Sequence, residues 1–119
     1  MKVDFSRNFI GGAWVDPQTD ATLPAIDPAT GKAFGAIPDS SDADVDLAVR
    51  AARRAYDDGA WGRTTATERG RMLTRLGDLI LANAAELSAI EAKDTGKSKS
   101  VADADIVALA RYFEFYGGA

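Results

Sequence analysis

The sequence predicts an α+β fold, with two short β-hairpins first and about four helices after them. Three observations carry this. Glycine- and proline-bearing turns punctuate the first third of the chain. Apolar residues recur at three-to-four spacing from Thr65 to Lys97, the period of a helix with one apolar face. The final stretch I-V-A-L-A-R-Y-F-E-F-Y is apolar on most sides, as in a helix that expects cover.

Residues 1–8 are polar and are expected to fray. Phe9-Ile10 and Ala13-Trp14-Val15 flank Gly11-Gly12, a pair able to take the positive φ angles of a two-residue hairpin turn. Residues 21–26 and 32–37 form the second strand pair. Between them Asp27-Pro28-Ala29-Thr30-Gly31 is a turn in which Asp accepts from the backbone, Pro presets φ and Gly closes. Ser40 or Ser41 caps a helix to about Asp58. Its early Asp42 and Asp44 and later Arg50, Arg53 and Arg54 suit the helix dipole. Val45, Ala48, Val49, Ala52 and Tyr56 line one side, Gly59 stops it, and Trp61 is expected to pack back.

Thr65 with Glu68 three residues on is a capping box. Met72, Leu73, Leu76, Leu79, Ile80, Ala84, Leu87 and Ile90 give the apolar face. Asn83 divides the stretch into two helices or one kinked helix, and Asp94-Thr95-Gly96 ends it. Gly70 and Gly77 each cost roughly 1 kcal/mol in a helix relative to Ala. That cost points to close approach of another element. Ser100 with Asp103 opens the last helix, to about Tyr116.

Composition narrows the function. The 119 residues suit one structural unit, with no repeat or linker. Leu, Ile, Val and Phe together make only about a fifth of the chain, so an isolated core is thin. Net charge is −4, which disfavours nucleic acid as a partner. No apolar run approaches a membrane span and no signal-peptide core is present, so a cytoplasmic location is the expectation. With no Cys and no His, these residues supply no disulfide, thiolate or imidazole.

Asp94-Thr95-Gly96-Lys97 lacks the spacing of a phosphate loop and ends a helix instead of opening one. Arg63, Arg69, Arg71 and Arg75, near Asp57, Asp58 and Asp78, read as a solvated, salt-bridged surface. No two carboxylates can be argued into a general acid–base pair.

Five pieces then carry a resemblance: F-I-G-G-A-W, I-D-P-A-T-G-K-A-F-G-A-I-P, R-G-R-M-L-T-R-L-G-D-L-I, E-L-S-A-I-E-A-K-D-T-G-K and R-Y-F-E-F-Y-G-G-A. In this order they resemble the N-terminal region of the NAD(P)-dependent aldehyde dehydrogenases, over about Asn8 to Ala119. The resemblance implies an α/β fold for the whole family member, of which residues 1–119 are the hairpins and helices flanking the nucleotide-binding domain. It implies oxidation of an aldehyde to a carboxylic acid with NAD or NADP. The nucleophilic cysteine, the water-activating glutamate, the oxyanion asparagine and the cofactor segments would then lie after residue 119. These residues alone would be inactive, with the remainder of the enzyme chain as partner and a homo-oligomer when complete. It also implies a structural Na⁺ or K⁺ held in part by the Ile26 carbonyl and the Asp94 carboxylate. Oxygen ligands suit such a hard cation, but two are too few. Tyr112, Phe113, Phe115 and Tyr116 would border the substrate entrance or pack on the nucleotide-binding sheet. The competing class is a stand-alone helical interaction or oligomerisation module without catalysis, using the last helix as its surface.

Overall fold

The computed structural model describes residues 6–119, so much of the expected fraying over 1–8 lies outside the described residues. The elements run β1 (Asn8–Ile10), β2 (Ala13–Val15), β3 (Thr22–Asp27), β4 (Lys32–Pro38), α1 (Asp42–Asp57), a 3₁₀ turn (Trp61–Arg63), α2 (Ala66–Ala82), α3 (Ala84–Thr95) and α4 (Lys99–Gly118). This is the expected α+β order. Two compact units result. One holds the residues up to Ile26 with Lys32–Arg63. The other holds Asp27–Gly31 with Thr64–Ala119.

In the first unit, β1 and β2 pair antiparallel, with Asn8 opposite Val15, Phe9 opposite Trp14 and Ile10 opposite Ala13. Gly11 and Gly12 turn the chain at φ of 62° and 85°, which an L-residue adopts only at a cost. The Phe9 and Trp14 rings meet edge-on, centroids 5.1 Å apart. β3 and β4 form a second two-stranded sheet. Ser41, rather than Ser40, caps α1. Its hydroxyl accepts from the Asp44 N–H, while the Asp44 carboxylate accepts from the Ser41 N–H at 2.9 Å and hydroxyl at 2.7 Å. Asp44 is 2% exposed and also accepts the Gln18 N–H at 3.1 Å, so one carboxylate closes the helix start and ties down the loop after β2. α1 ends at Asp58. Gly59 follows without entering the left-handed region, and its N–H bonds the Arg54 carbonyl.

In the second unit, the Asp27–Gly31 turn forms as expected. The Asp27 carbonyl accepts the Gly31 N–H at 2.7 Å and its carboxylate accepts the Ala29 N–H at 2.8 Å. Thr65 and Glu68 make the expected capping box on α2. Asn83 divides α2 from α3, but it does not cap α3. Its side-chain amide donates back to the Leu79 carbonyl at 2.8 Å. Gly96, at φ 75°, ends α3. α4 departs from expectation at both ends. Ser98, not Ser100, is its cap, accepting the Val101 N–H, and the helix continues through Gly118. Ser100 and Asp103 lie inside the helix, where Asp103 pairs with Lys99.

α2 and α4 cross with their backbones in near contact. A Cβ on Gly70 would lie 2.3 Å from the Gly117 carbonyl oxygen, and one on Gly77 would lie 3.0 Å from the Ala110 carbonyl oxygen. Here the helix glycines serve the close approach that their cost implies. Ile80, Ile106 and Ala110 form the buried centre, with Leu81, Ala84, Leu87 and Phe113 against it. The expected apolar face is therefore corrected. α2 turns its glycine line toward α4, which leaves Met72, Leu76 and Leu79 on a neighbouring, exposed face. Ile90 is exposed too, and Leu81 joins the core unforeseen.

Two outcomes follow from this packing. Gly70→Ala pushes a methyl into backbone that cannot yield and costs about 1–3 kcal/mol in urea unfolding. Gly118→Ala, where a Cβ meets nothing within 4 Å, is neutral or stabilising. Equal effects of the two would contradict the seam.

Hydrogen bonds from the Ser41 hydroxyl, then from the Ser41 and Gln18 N–H groups, hold the Asp44 carboxyl below its ordinary 3.8. The Thr65 N–H and then its hydroxyl do the same for Glu68 relative to 4.5. A carboxyl held low stabilises the fold fully above its ordinary value, and the contribution drains away as pH falls through the lower folded-state value. Asp44→Asn should therefore lower Tm at neutral pH by about 4 °C or more. It should also flatten the decline of Tm with acid below pH 3.8. Parallel Tm–pH curves for the two proteins would refute this.

Candidate functional site

α4 is the element with most left to explain. Ala102, Ile106, Ala110 and Phe113 face the core. Tyr112, Phe115 and Tyr116 are 63%, 70% and 62% exposed, and Val101 and Leu109 are exposed elsewhere on the same helix. Of the four aromatic residues read as tunnel or packing candidates, only Phe113 is taken up by this unit. The Phe115 and Tyr116 rings meet edge-on at 5.2 Å, which orders an aromatic patch instead of hiding it. Exposed aromatics of this size approach the few hundred Å² that free monomers seldom show. α2 adds its own outward line of Met72, Leu76 and Leu79. In the first unit α1 likewise exposes Val45, Val49 and Tyr56 along one side, where Arg53 also lies.

The arginine cluster resolves into separate roles. Arg63 donates to the Asp58 backbone carbonyl at 3.3 Å, and Arg69 to the Thr64 carbonyl at 2.6 Å. Asp57 pairs with Arg53 at 3.8 Å. Backbone acceptors, more than the expected carboxylates, hold these guanidiniums. Arg71 and Arg75 line an open groove of about 490 Å³ with Thr74, Asp78 and Gly117. Arg71 also helps hold the Glu68 carboxyl low, after the Thr65 bonds.

Ile26 lies in β3, 44% exposed, and belongs to the first unit. Asp94 is exposed one residue before the end of α3, in the second unit. Among the described residues no three Asp or Glu side chains gather as they would around a metal ion. A carbonyl and a carboxylate have the right chemistry for a hard cation but make an incomplete ligand set. The strands pair only as antiparallel hairpins, and no βαβ unit with a glycine-rich turn offers a nucleotide cradle among the described residues. No helix of the described residues is long and apolar enough to cross a membrane.

Sequence reasoning missed one cluster. At the α3–α4 corner, Lys97 Nζ lies 2.6 Å from Glu91 Oε1 and 2.8 Å from Asp105 Oδ2. Lys99 bonds Asp103 and reaches the wholly buried Ser88 hydroxyl at 3.2 Å. The Lys99–Asp103 pair was legible as an i, i+4 spacing. The Lys97 contacts join two helices and have no local signature.

Comparison with known proteins gives this geometry a setting. Residues 14–119 match the aldehyde dehydrogenase family. Aldehyde dehydrogenase family 2 member C4 of Arabidopsis thaliana is 39% identical over 119 residues, which is 99% of this chain and 24% of that protein. An NAD-dependent aldehyde dehydrogenase structure from Sinorhizobium meliloti superposes with a TM-score of 0.87 at 35% identity, covering 92% of this chain and 22% of that one. A Staphylococcus aureus betaine aldehyde dehydrogenase structure in complex with NAD⁺ superposes with a TM-score of 0.90 at 29% identity, covering 96% and 23%. The chain thus spans about a quarter of the length of these relatives. A fold, a turn pattern and a sequence match that coincide over nearly every described residue leave one assignment: this chain belongs to the aldehyde dehydrogenase family.

Proposed function

We propose that these residues are the N-terminal portion of an enzyme that oxidises an aldehyde to a carboxylic acid with NAD or NADP. Their task is architectural: hairpins and helices that flank the nucleotide-binding domain and brace it through α4. The match over residues 14–119 carries this reading. The outward aromatic side of α4 supports it, because such a side needs a partner and this unit provides none. The NAD⁺ bound in the Staphylococcus aureus relative supports the choice of cofactor. A homo-oligomer and a cytoplasmic location complete the proposal.

Catalysis is not the task of residues 1–119 by themselves, since they contain no cysteine to attack a carbonyl. Purified alone and incubated with NAD⁺ or NADP⁺ and a panel of aldehydes, they should form no NADH or NADPH. The full-length enzyme should form one of them. Turnover by the isolated residues, persisting through rigorous purification, would overturn the reading.

The Ile26 carbonyl and Asp94 carboxylate are proposed as two ligands of a structural Na⁺ or K⁺ in the complete enzyme, with further oxygens supplied from elsewhere. A cation bound only by the native state raises stability by mass action. Asp94→Ala in the complete enzyme should lower Tm by about 2–4 °C in added Na⁺ or K⁺. It should also abolish the rise in Tm that the salt otherwise gives. An unchanged salt response removes the site.

A further inference from the structure

We infer that Lys97 is closed to carbonyl electrophiles while the fold stands, and that its neighbour Lys99 is open to them. The interest of this rests on the aldehyde reading above; its test does not.

Gly96 reverses the chain at φ 75° and delivers Lys97 into the corner between α3 and α4. There its ammonium bridges Glu91 of α3 and Asp105 of α4 at 2.6 and 2.8 Å, with the side chain 28% exposed. Adduct formation needs the opposite state. The proton must leave Nζ, and its lone pair must attack the carbonyl carbon. The resulting carbinolamine then loses water to give an imine. Two carboxylates oppose the first step by holding the proton, and the Lys97 ammonium is held above its ordinary 10.5 by the bond to Asp105 and then that to Glu91. They also oppose the last step, because an imine nitrogen lacks the N–H groups to keep both bonds. Lys99 is differently placed. Its side chain is 59% exposed, and its partners are one carboxylate, Asp103, and the neutral Ser88 hydroxyl. The corner therefore keeps its two-helix bridge on the lysine of this pair that carbonyl compounds reach less.

The test is reductive methylation of the intact protein with formaldehyde and cyanoborohydride, which reduces the imine to a methylamine by hydride transfer. Mass spectrometry follows each lysine. In the folded protein Lys97 should react about fivefold more slowly than Lys99, the factor that ion pairs of this exposure make. In urea the two rates should converge. Glu91→Gln with Asp105→Asn should raise the Lys97 rate toward that of Lys99 while Lys32 stays constant. Equal rates for Lys97 and Lys99 in the folded protein would overturn the inference. So would a folded double variant whose Lys97 rate is unchanged. If that variant does not fold, the comparison of folded and urea-treated wild type decides.

Discussion

The backbone contact between α2 and α4 is the constraint on which the second unit depends. Gly70 and Gly77 give up helix stability, roughly 1 kcal/mol each relative to Ala. In return the two helices approach until the Gly117 and Ala110 carbonyls fill the space a side chain would take. At that separation Ile80 and Ile106 join Ala110 in one buried cluster, with Ala102 and Ala110 completely buried on the α4 side. Dispersion contacts over such a seam are individually small and collectively large. A core with few large side chains holds here because small residues let its helices come close.

The same geometry decides what is left outside. A helix that turns a glycine line inward must carry its large apolar residues elsewhere. On α2 these are Met72, Leu76 and Leu79; on α4 they are Tyr112, Phe115 and Tyr116. Such helices are two-faced, with one face for the unit and one for something larger. That fits a chain whose relatives are about four times as long.

Local chemistry was legible in the sequence and interhelical geometry was not. Thr65 with Glu68 and the Asp27–Gly31 turn bond within a few residues, so their letters specify them, and both formed. The sequence reading set the opening of α4 at Ser100, whereas Ser98 caps it. The expected stop of α3 at Gly96 leaves Ser98 two residues on, at the non-helical position before α4. The bond from Gln18 to Asp44 and the Lys97 bridge span separate elements and left no pattern to read. Which apolar face of α2 turns inward depended on a glycine line whose use for close approach was legible but whose partner, α4, was not. The candidate cation ligands Ile26 and Asp94 came from resemblance alone. Nothing in their local sequence marks them, because a carbonyl ligand is invisible in the side-chain code.

In the proposed enzyme this segment can influence turnover in at least two ways. It can change how much of the enzyme is folded, or it can change what its outer faces hold in place. The structure separates these routes. Substitutions at Ala110 or Ile106 strike the seam, so their effect on activity should scale with lost stability. Substitutions at Tyr112 or Phe115 leave the unit's own core untouched. On the proposed reading, a change they cause in kcat/KM at unchanged Tm passes through what the exposed side of α4 packs against or borders. The exposed aromatics of α4 are then where this unit meets the rest of the enzyme, and the buried seam residues act through folding.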